Sequence, residues 1–244
     1  MMRGQKKFIY GLFYLLVLAT IVWAFWPSAK VPVPPVCSGP SCGTSQPLPL
    51  QVSGVPQMFA SKITHRVVLL GQVTNPNSDY GASAFSYQFY IFDRNGKTIS
   101  LVPGNGVIYP SETKYILGVY DAGSADLSSI AERPGFEINN ASLEPAGNFL
   151  KPDLALSSGP SVQLNADSIV VSGTLKNQGS SLARNVSIIA LLSNKYSDPL
   201  FAAQTLISNL AGFEEIAFQI PFPADQQVVE SVATDKTQVF LSTE

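Results

Sequence analysis

Two stretches of the chain read alike: Val68-Leu69-Leu70-Gly71-Gln72-Val73-Thr74-Asn75 and Val170-Val171-Ser172-Gly173-Thr174-Leu175-Lys176-Asn177 share the form Gly-x-aliphatic-x-Asn at an offset of 102. Such a repeat narrows the fold more than any other feature, because each copy must build the same unit from about 100 residues. The likeness continues on both sides. Alternating apolar positions follow at Phe85, Tyr87, Phe89 and Ile91 in the first copy and at Val186, Ile188, Ala190 and Leu192 in the second. The offset returns to 102 at Pro110-Ser111-Glu112 and Gly212-Phe213-Glu214, ahead of strands containing Ile116 and Phe218.

Alternation places successive side chains on opposite faces of a strand, so each run predicts a strand with one face on a core. Eighteen Gly and eighteen Pro, mixed with Ser, Thr and Asn, supply turns between these short runs. Short strands divided by turns, in units of about 100 residues, predict a β-sandwich of about seven strands per copy. Strands over 136–143 and 238–242 are expected to close the two copies. The connections lack the helical period that an α/β crossover needs, and the best helical candidate is a turn or two over 124–131. The expected fold class is therefore all-β, with tandem sandwiches over 50–146 and 147–244 divided at Pro145-Ala146-Gly147-Asn148.

Residues 8–26 (FIYGLFYLLVLATIVWAFW) carry no charge. At 1.5 Å per residue about 19 residues cover the hydrocarbon of a bilayer, so a membrane-spanning helix is expected within an N-terminal segment 1–30. Arg3, Lys6 and Lys7 precede the span and Lys30 alone follows closely, which predicts a cytoplasmic N-terminus and extracytoplasmic remainder. A cleaved signal peptide is the rival, with Ala29 as its best cleavage site, but Trp23, Phe25 and Trp26 at the exit suit a signal peptidase poorly. Residues 31–49 are rich in Pro, Gly and Ser and read as a stalk. Cys37 and Cys42, the only cysteines, favour a small disulfide loop beyond the membrane. Two thiols and one histidine do not complete a zinc shell, and Pro34-Pro35-Val36 before Cys37 does not read as a lipidation site.

The run Phe89-Tyr90-Ile91-Phe92-Asp93, followed by Arg94-Asn95-Gly96-Lys97, resembles the Phe-x-Leu-Tyr-Asp signature of the FxLyD domain, an immunoglobulin-like module of prokaryotic surface proteins. Gly71-Gln72-Val73-Thr74-Asn75 resembles that family's Gly-x-Val-x-Asn strand, and Gly173-Thr174-Leu175-Lys176-Asn177 is similar. The second copy departs at Leu192-Ser193-Asn194-Lys195, where a Tyr-Asp-x-x-Gly turn would stand. The resemblance implies an immunoglobulin-like fold and a surface location, and transfers no catalytic residues.

Candidate chemistry is sparse. His65 is the only histidine, so a histidine-based relay would have to be built on Thr64-His65-Arg66. Asp93-Arg94-Asn95-Gly96 lacks the alternating ligands of a calcium loop and reads as a hairpin turn, where Asn95-Gly96 tolerates positive φ. Asp121, Asp126, Asp153 and Asp167 are scattered singly, without the pairing that glycoside chemistry uses. No phosphate cradle or basic-aromatic strip is present, and a net charge of −2 argues against nucleic acid. Neither a catalytic, a metal nor a cofactor site is expected. Tyr90 and Phe92 fall on the face opposite Phe85, Tyr87, Phe89 and Ile91, so this strand is apolar on both sides near its end. They pack under a neighbouring loop or against the second domain, or form a patch for a protein partner. The expected function is a scaffold or protein-binding module, held in membrane lipid through residues 8–26 and meeting protein partners at the cell surface. An accessory subunit of an envelope or secretion assembly and an extracellular hydrolase are the alternatives.

Overall fold

The computed structural model describes residues 46–123, 126–165, 168–223 and 225–243. Residues 8–26, expected from the sequence to span a membrane, and both cysteines lie outside them. Among the described residues no helix is long and apolar enough to cross a membrane. Residues Pro47–Glu244 form one compact unit.

That unit is all-β. Its first half runs β1 (Gln51–Val52), β2 (Gln57–Ser61), β3 (Arg66–Thr74), β4 (Tyr80–Phe92), β5 (Thr98–Ile108), β6 (Thr113–Asp121) and β7 (Gly135–Pro145). The second runs β8 (Leu154–Leu164), β9 (Ser168–Asn177), β10 (Ala183–Ser193), β11 (Pro199–Leu210), β12 (Glu215–Pro223), a short helix α1 (Gln226–Ser231) and β13 (Gln238–Thr243). In the first half β3 pairs with β6 on one side and with β1 and then β2 on the other. Its facing sheet is ordered β5-β4-β7. The second half repeats this plan, with β9 between β12 and β8 and β10 between β11 and β13, all antiparallel.

The strand run of β3 is continuous rather than alternating, and the packing explains it. Val67, Leu69 and Val73 join Phe85, Phe89, Ile91 and Ile108 in the core between β3's sheet and the β5-β4-β7 sheet. Val68 and Leu70, on the other face, join a second core with Ile188, Ile189, Ala190 and Leu191 of β10. The sheet of β1, β2, β3 and β6 is thus covered on both faces, and the four sheets stack in layers. Phe59 packs on Phe201 with ring centroids 5.9 Å apart, and Tyr115 stacks on Phe240 at 3.9 Å. Buried Lys114 donates from Nζ to the Thr243 carbonyl at 2.5 Å. Helix α1 is a six-residue element whose one buried side chain is Val228.

The repeat extends to hydrogen bonds. Asn75 donates from Nδ2 to the carbonyls of Tyr80 (2.8 Å) and Tyr109 (3.0 Å), and its Oδ1 accepts from the Asn77 amide at 3.0 Å. Asn177 donates to the carbonyls of Ser181, Leu210 and Ala211 and accepts from the Gly179 amide. In each half the motif asparagine ties the end of a strand to the next turn and to a loop entering from across the sandwich. The turn after β4 recurs after β10: Asp93 Oδ1 accepts from the Asn95 and Lys97 amides, and Asn194 Oδ1 accepts from those of Tyr196 and Asp198. An amide oxygen accepts as a carboxylate does, so the second copy keeps the turn that its sequence departs from.

Gly96 has φ 81° in this turn and Ser197, its twin, has φ 69°. A side chain in the left-handed region costs about 1–2 kcal/mol, partly offset by the larger chain entropy that glycine loses on folding. Ser197→Gly should therefore stabilise the unit by about 0.5 kcal/mol and Gly96→Ser destabilise it by a similar amount. Urea midpoints of the two variants are expected to move in opposite directions.

Candidate functional site

The described residues hold no group of three or more His, Cys, Asp or Glu able to bind a metal ion. His65 sits exposed in the turn between β2 and β3 with φ 52°. The surface that stands out is the outer face of the β5-β4-β7 sheet, where the sequence places Tyr90 and Phe92.

Strand parity puts Phe85, Phe89 and Ile91 in the core and turns Tyr90 and Phe92 outward. Both outward rings are half-buried. Their centroids are 6.3 Å apart with planes 6° from parallel. Two neighbours hold them. Gly135, opposite Tyr90 on β7, has no side chain, and a Cβ there would come within 3.2 Å of the Tyr90 Cβ and 3.3 Å of the Phe92 ring. The Tyr90 hydroxyl donates to the Glu137 carboxylate. That hydrogen bond, together with desolvation and the carboxylate's charge, holds the phenol's pKa above the ordinary tyrosine value, so the ring stays neutral through physiological pH. On β5, Leu101 lies opposite Tyr90 and is 49% exposed, and Ile99 beyond it is 43% exposed. A flat aromatic shelf with an aliphatic margin results.

The internal repeat supplies a reference for this face. In the second half, the strand positions matching Tyr90 and Phe92 are Leu191 and Ser193, which are 9% and 3% exposed. There the outward face of β10 and its neighbours is covered by the first half: Ser187 and Ile189 border the same small gap as Tyr115 and Leu117. The same architectural face is therefore buried in one half and open in the other. The opposite end of the stack differs again. The outer face of β9, β12 and β8 carries Val170, Ser172, Thr174, Ala217 and Gln219, where the first half buries Val68 and Leu70 and packs Tyr115 and Leu117. Polar and small side chains there end the stack.

The sequence picked out Tyr90 and Phe92 but not the covered face of β3 and β6. Its signal was the four consecutive aliphatic residues Val67-Val68-Leu69-Leu70, since a strand covered on one side only alternates.

No family model matches the chain, and no curated protein matches it. Among solved structures, a β-glucuronidase from glycoside hydrolase family 2 aligns with 67% of this chain and 21% of its own, at 10% identity and a TM-score of 0.24. Red sea bream transglutaminase aligns with 81% of this chain and 31% of its own, at 8% identity and a TM-score of 0.26. A Bacteroides uniformis β-glucuronidase aligns with 71% and 28%, at 12% identity and 0.25. The chain spans less than a third of the length of each. Likenesses this slight carry no argument about fold family or activity.

Proposed function

We propose that the chain is a non-catalytic, membrane-anchored extracytoplasmic scaffold whose stacked sandwiches present the Tyr90–Phe92 face to a protein partner. The observation that carries this reading is the comparison between halves: the face that protein covers in the second half stands open in the first, with two aromatic rings and Leu101 on it. Aromatic side chains give large contact area at low entropy cost, which suits them to anchor an interface. The uncharged residues 8–26 and the basic residues ahead of them support anchoring with the sandwiches beyond the membrane. The resemblance of Phe89-Tyr90-Ile91-Phe92-Asp93 to the FxLyD signature supports immunoglobulin-like modules of a prokaryotic surface protein. Disulfide closure of Cys37 with Cys42 belongs to the same reading.

The test uses whole cells. A photo-crosslinking side chain at position 92 should capture one discrete protein, and one at position 172, on the polar outer face of β9, should not. Tyr90→Ala with Phe92→Ala should reduce a capture made from position 101 at least tenfold while the thermal midpoint moves only a few degrees. Equal capture from positions 92 and 172, or none from 92, would remove the basis for a contact surface. Protease added outside the cells should digest the sandwiches; their survival in intact cells and digestion only after lysis would place them on the wrong side for this proposal.

A further inference from the structure

A separate groove runs beside β2. It has a volume of about 1060 Å³ and is bordered on one side by β2 and its flanks, and on the other by Leu200 and α1 with the preceding Asp225. Three features of it converge. First, β2 pairs with β3 along one edge, and among the described residues no strand pairs with its other edge. In a strand every second residue turns its N–H and C=O to a given side, so the free edge is a template for another strand. Second, Val55 and Ile63 stand at the two ends of β2 with 72% and 60% of their surface exposed. Third, the groove holds two buried oxygens with no hydrogen-bond partner, Oε1 of Gln57 and Oδ2 of Asp225. Buried polar atoms are nearly always paired, and an unpaired one costs about 1–3 kcal/mol. Both atoms are acceptors, and one is a carboxylate oxygen. What would satisfy them is a donor, and a cationic one at Asp225.

We infer that this groove takes up an extended peptide segment of a partner protein, which adds as a strand to the free edge of β2 and places a lysine or arginine against Asp225. Five residues of β2 span about 17 Å, enough for a partner strand of similar length. Main-chain hydrogen bonds to β2 hold the segment, side chains alternating toward the groove meet Val55 and Ile63, and the cation supplies the donor that Gln57 and Asp225 lack. The inference goes beyond the Tyr90–Phe92 face, involves none of its residues, and stands or falls separately from it.

The test is selection of a random ten-residue peptide library on the full chain kept in mild detergent, followed by affinity measurements on the selected peptides by fluorescence polarisation. The expected peptides alternate apolar residues around one lysine or arginine. Replacing that cation with norleucine, or Asp225→Asn in the protein, should weaken binding at least tenfold, and Tyr90→Ala with Phe92→Ala should leave it unchanged. Backbone N-methylation of the peptide at every second residue should abolish binding in one phase and be tolerated in the other, a signature that needs no protein variant and that only strand addition produces. The inference is overturned by a selection that enriches nothing, by peptides that tolerate methylation in both phases or bind Asp225→Asn equally well, or by enrichment of proline-rich or helical sequences. Self-association of the chain through β2 that excludes every peptide overturns it too.

Discussion

Asn177→Ala should destabilise the folded unit by about 3 kcal/mol and lower its thermal midpoint by roughly 6–12 °C. Asn177 is fully buried at the end of β9. Its amide nitrogen lies 2.6 Å from the Ser181 carbonyl, 3.2 Å from that of Leu210 and 3.1 Å from that of Ala211, and its oxygen takes the Gly179 amide at 3.1 Å. Alanine removes both sides of this latch and leaves buried main-chain groups without partners, each costing about 1–3 kcal/mol where water cannot reach it. A second substitution separates the hydrogen bonds from simple loss of volume. Asn177→Asp keeps the size but replaces the donor with a carboxylate aimed at carbonyl oxygens, so at neutral pH it should cost at least as much as alanine. Burial among acceptors favours the protonated acid, so the folded-state pKa of the introduced carboxyl is raised above its unfolded value. The variant's relative stability is then best below the unfolded pKa and is lost as pH rises through the folded one. Melting curves at acid and neutral pH check this. A pH-independent loss equal to that of alanine would mean the donor is not what matters at this position.

The same asparagine shows what could be read without coordinates. Gly-x-aliphatic-x-Asn recurs at an offset of 102, and the recurrence placed two equivalent strands. It could not say why Asn ends the motif, because two of the three carbonyls that Nδ2 meets come from a loop more than 30 residues away in sequence. The strands of the repeat were legible because alternation is a local property of a half-buried strand. The turn after β10 was not, since Asn194 stands where the first copy has Asp93 and a shared acceptor geometry has no single-letter signature. Helix α1 was missed for a related reason: six residues make less than two turns, too few to show a period. Of the candidate contact face, Tyr90 and Phe92 were readable as apolar residues out of phase with their strand. That they remain half-open, while their twins Leu191 and Ser193 are covered, depends on which sheets meet, and that is decided by residues more than 100 positions apart.

The meeting of the halves carries the other large effect. Leu70 is 4% exposed on the face of β3 that joins the core shared with β10. Leu70→Asp puts an unpaired carboxylate between two sheets, and the expected cost is about 4 kcal/mol or more, since loss of the aliphatic side chain adds to the desolvation of a charge. The matching substitution in the second half, Ser172→Asp, falls on the polar outer face of β9 and should cost less than about 1 kcal/mol. The pair differs in position within the stack and not in position within the repeat, so their difference isolates the joint. It also predicts a change in the form of unfolding. With the joint intact the two halves share one hydrophobic core and should unfold together in a single calorimetric transition. Each half has its own pair of facing sheets and its own asparagine latch, so with the joint broken each should retain a transition of its own. Leu70→Asp should therefore show two transitions, one for each half, where Ser172→Asp shows one. Equal costs for the two variants, or a single transition in both, would mean that the contact between β3 and the β11-β10-β13 sheet does not couple the halves. The rigid spacing between the Tyr90–Phe92 face and the far polar end of the stack would then have no energetic basis.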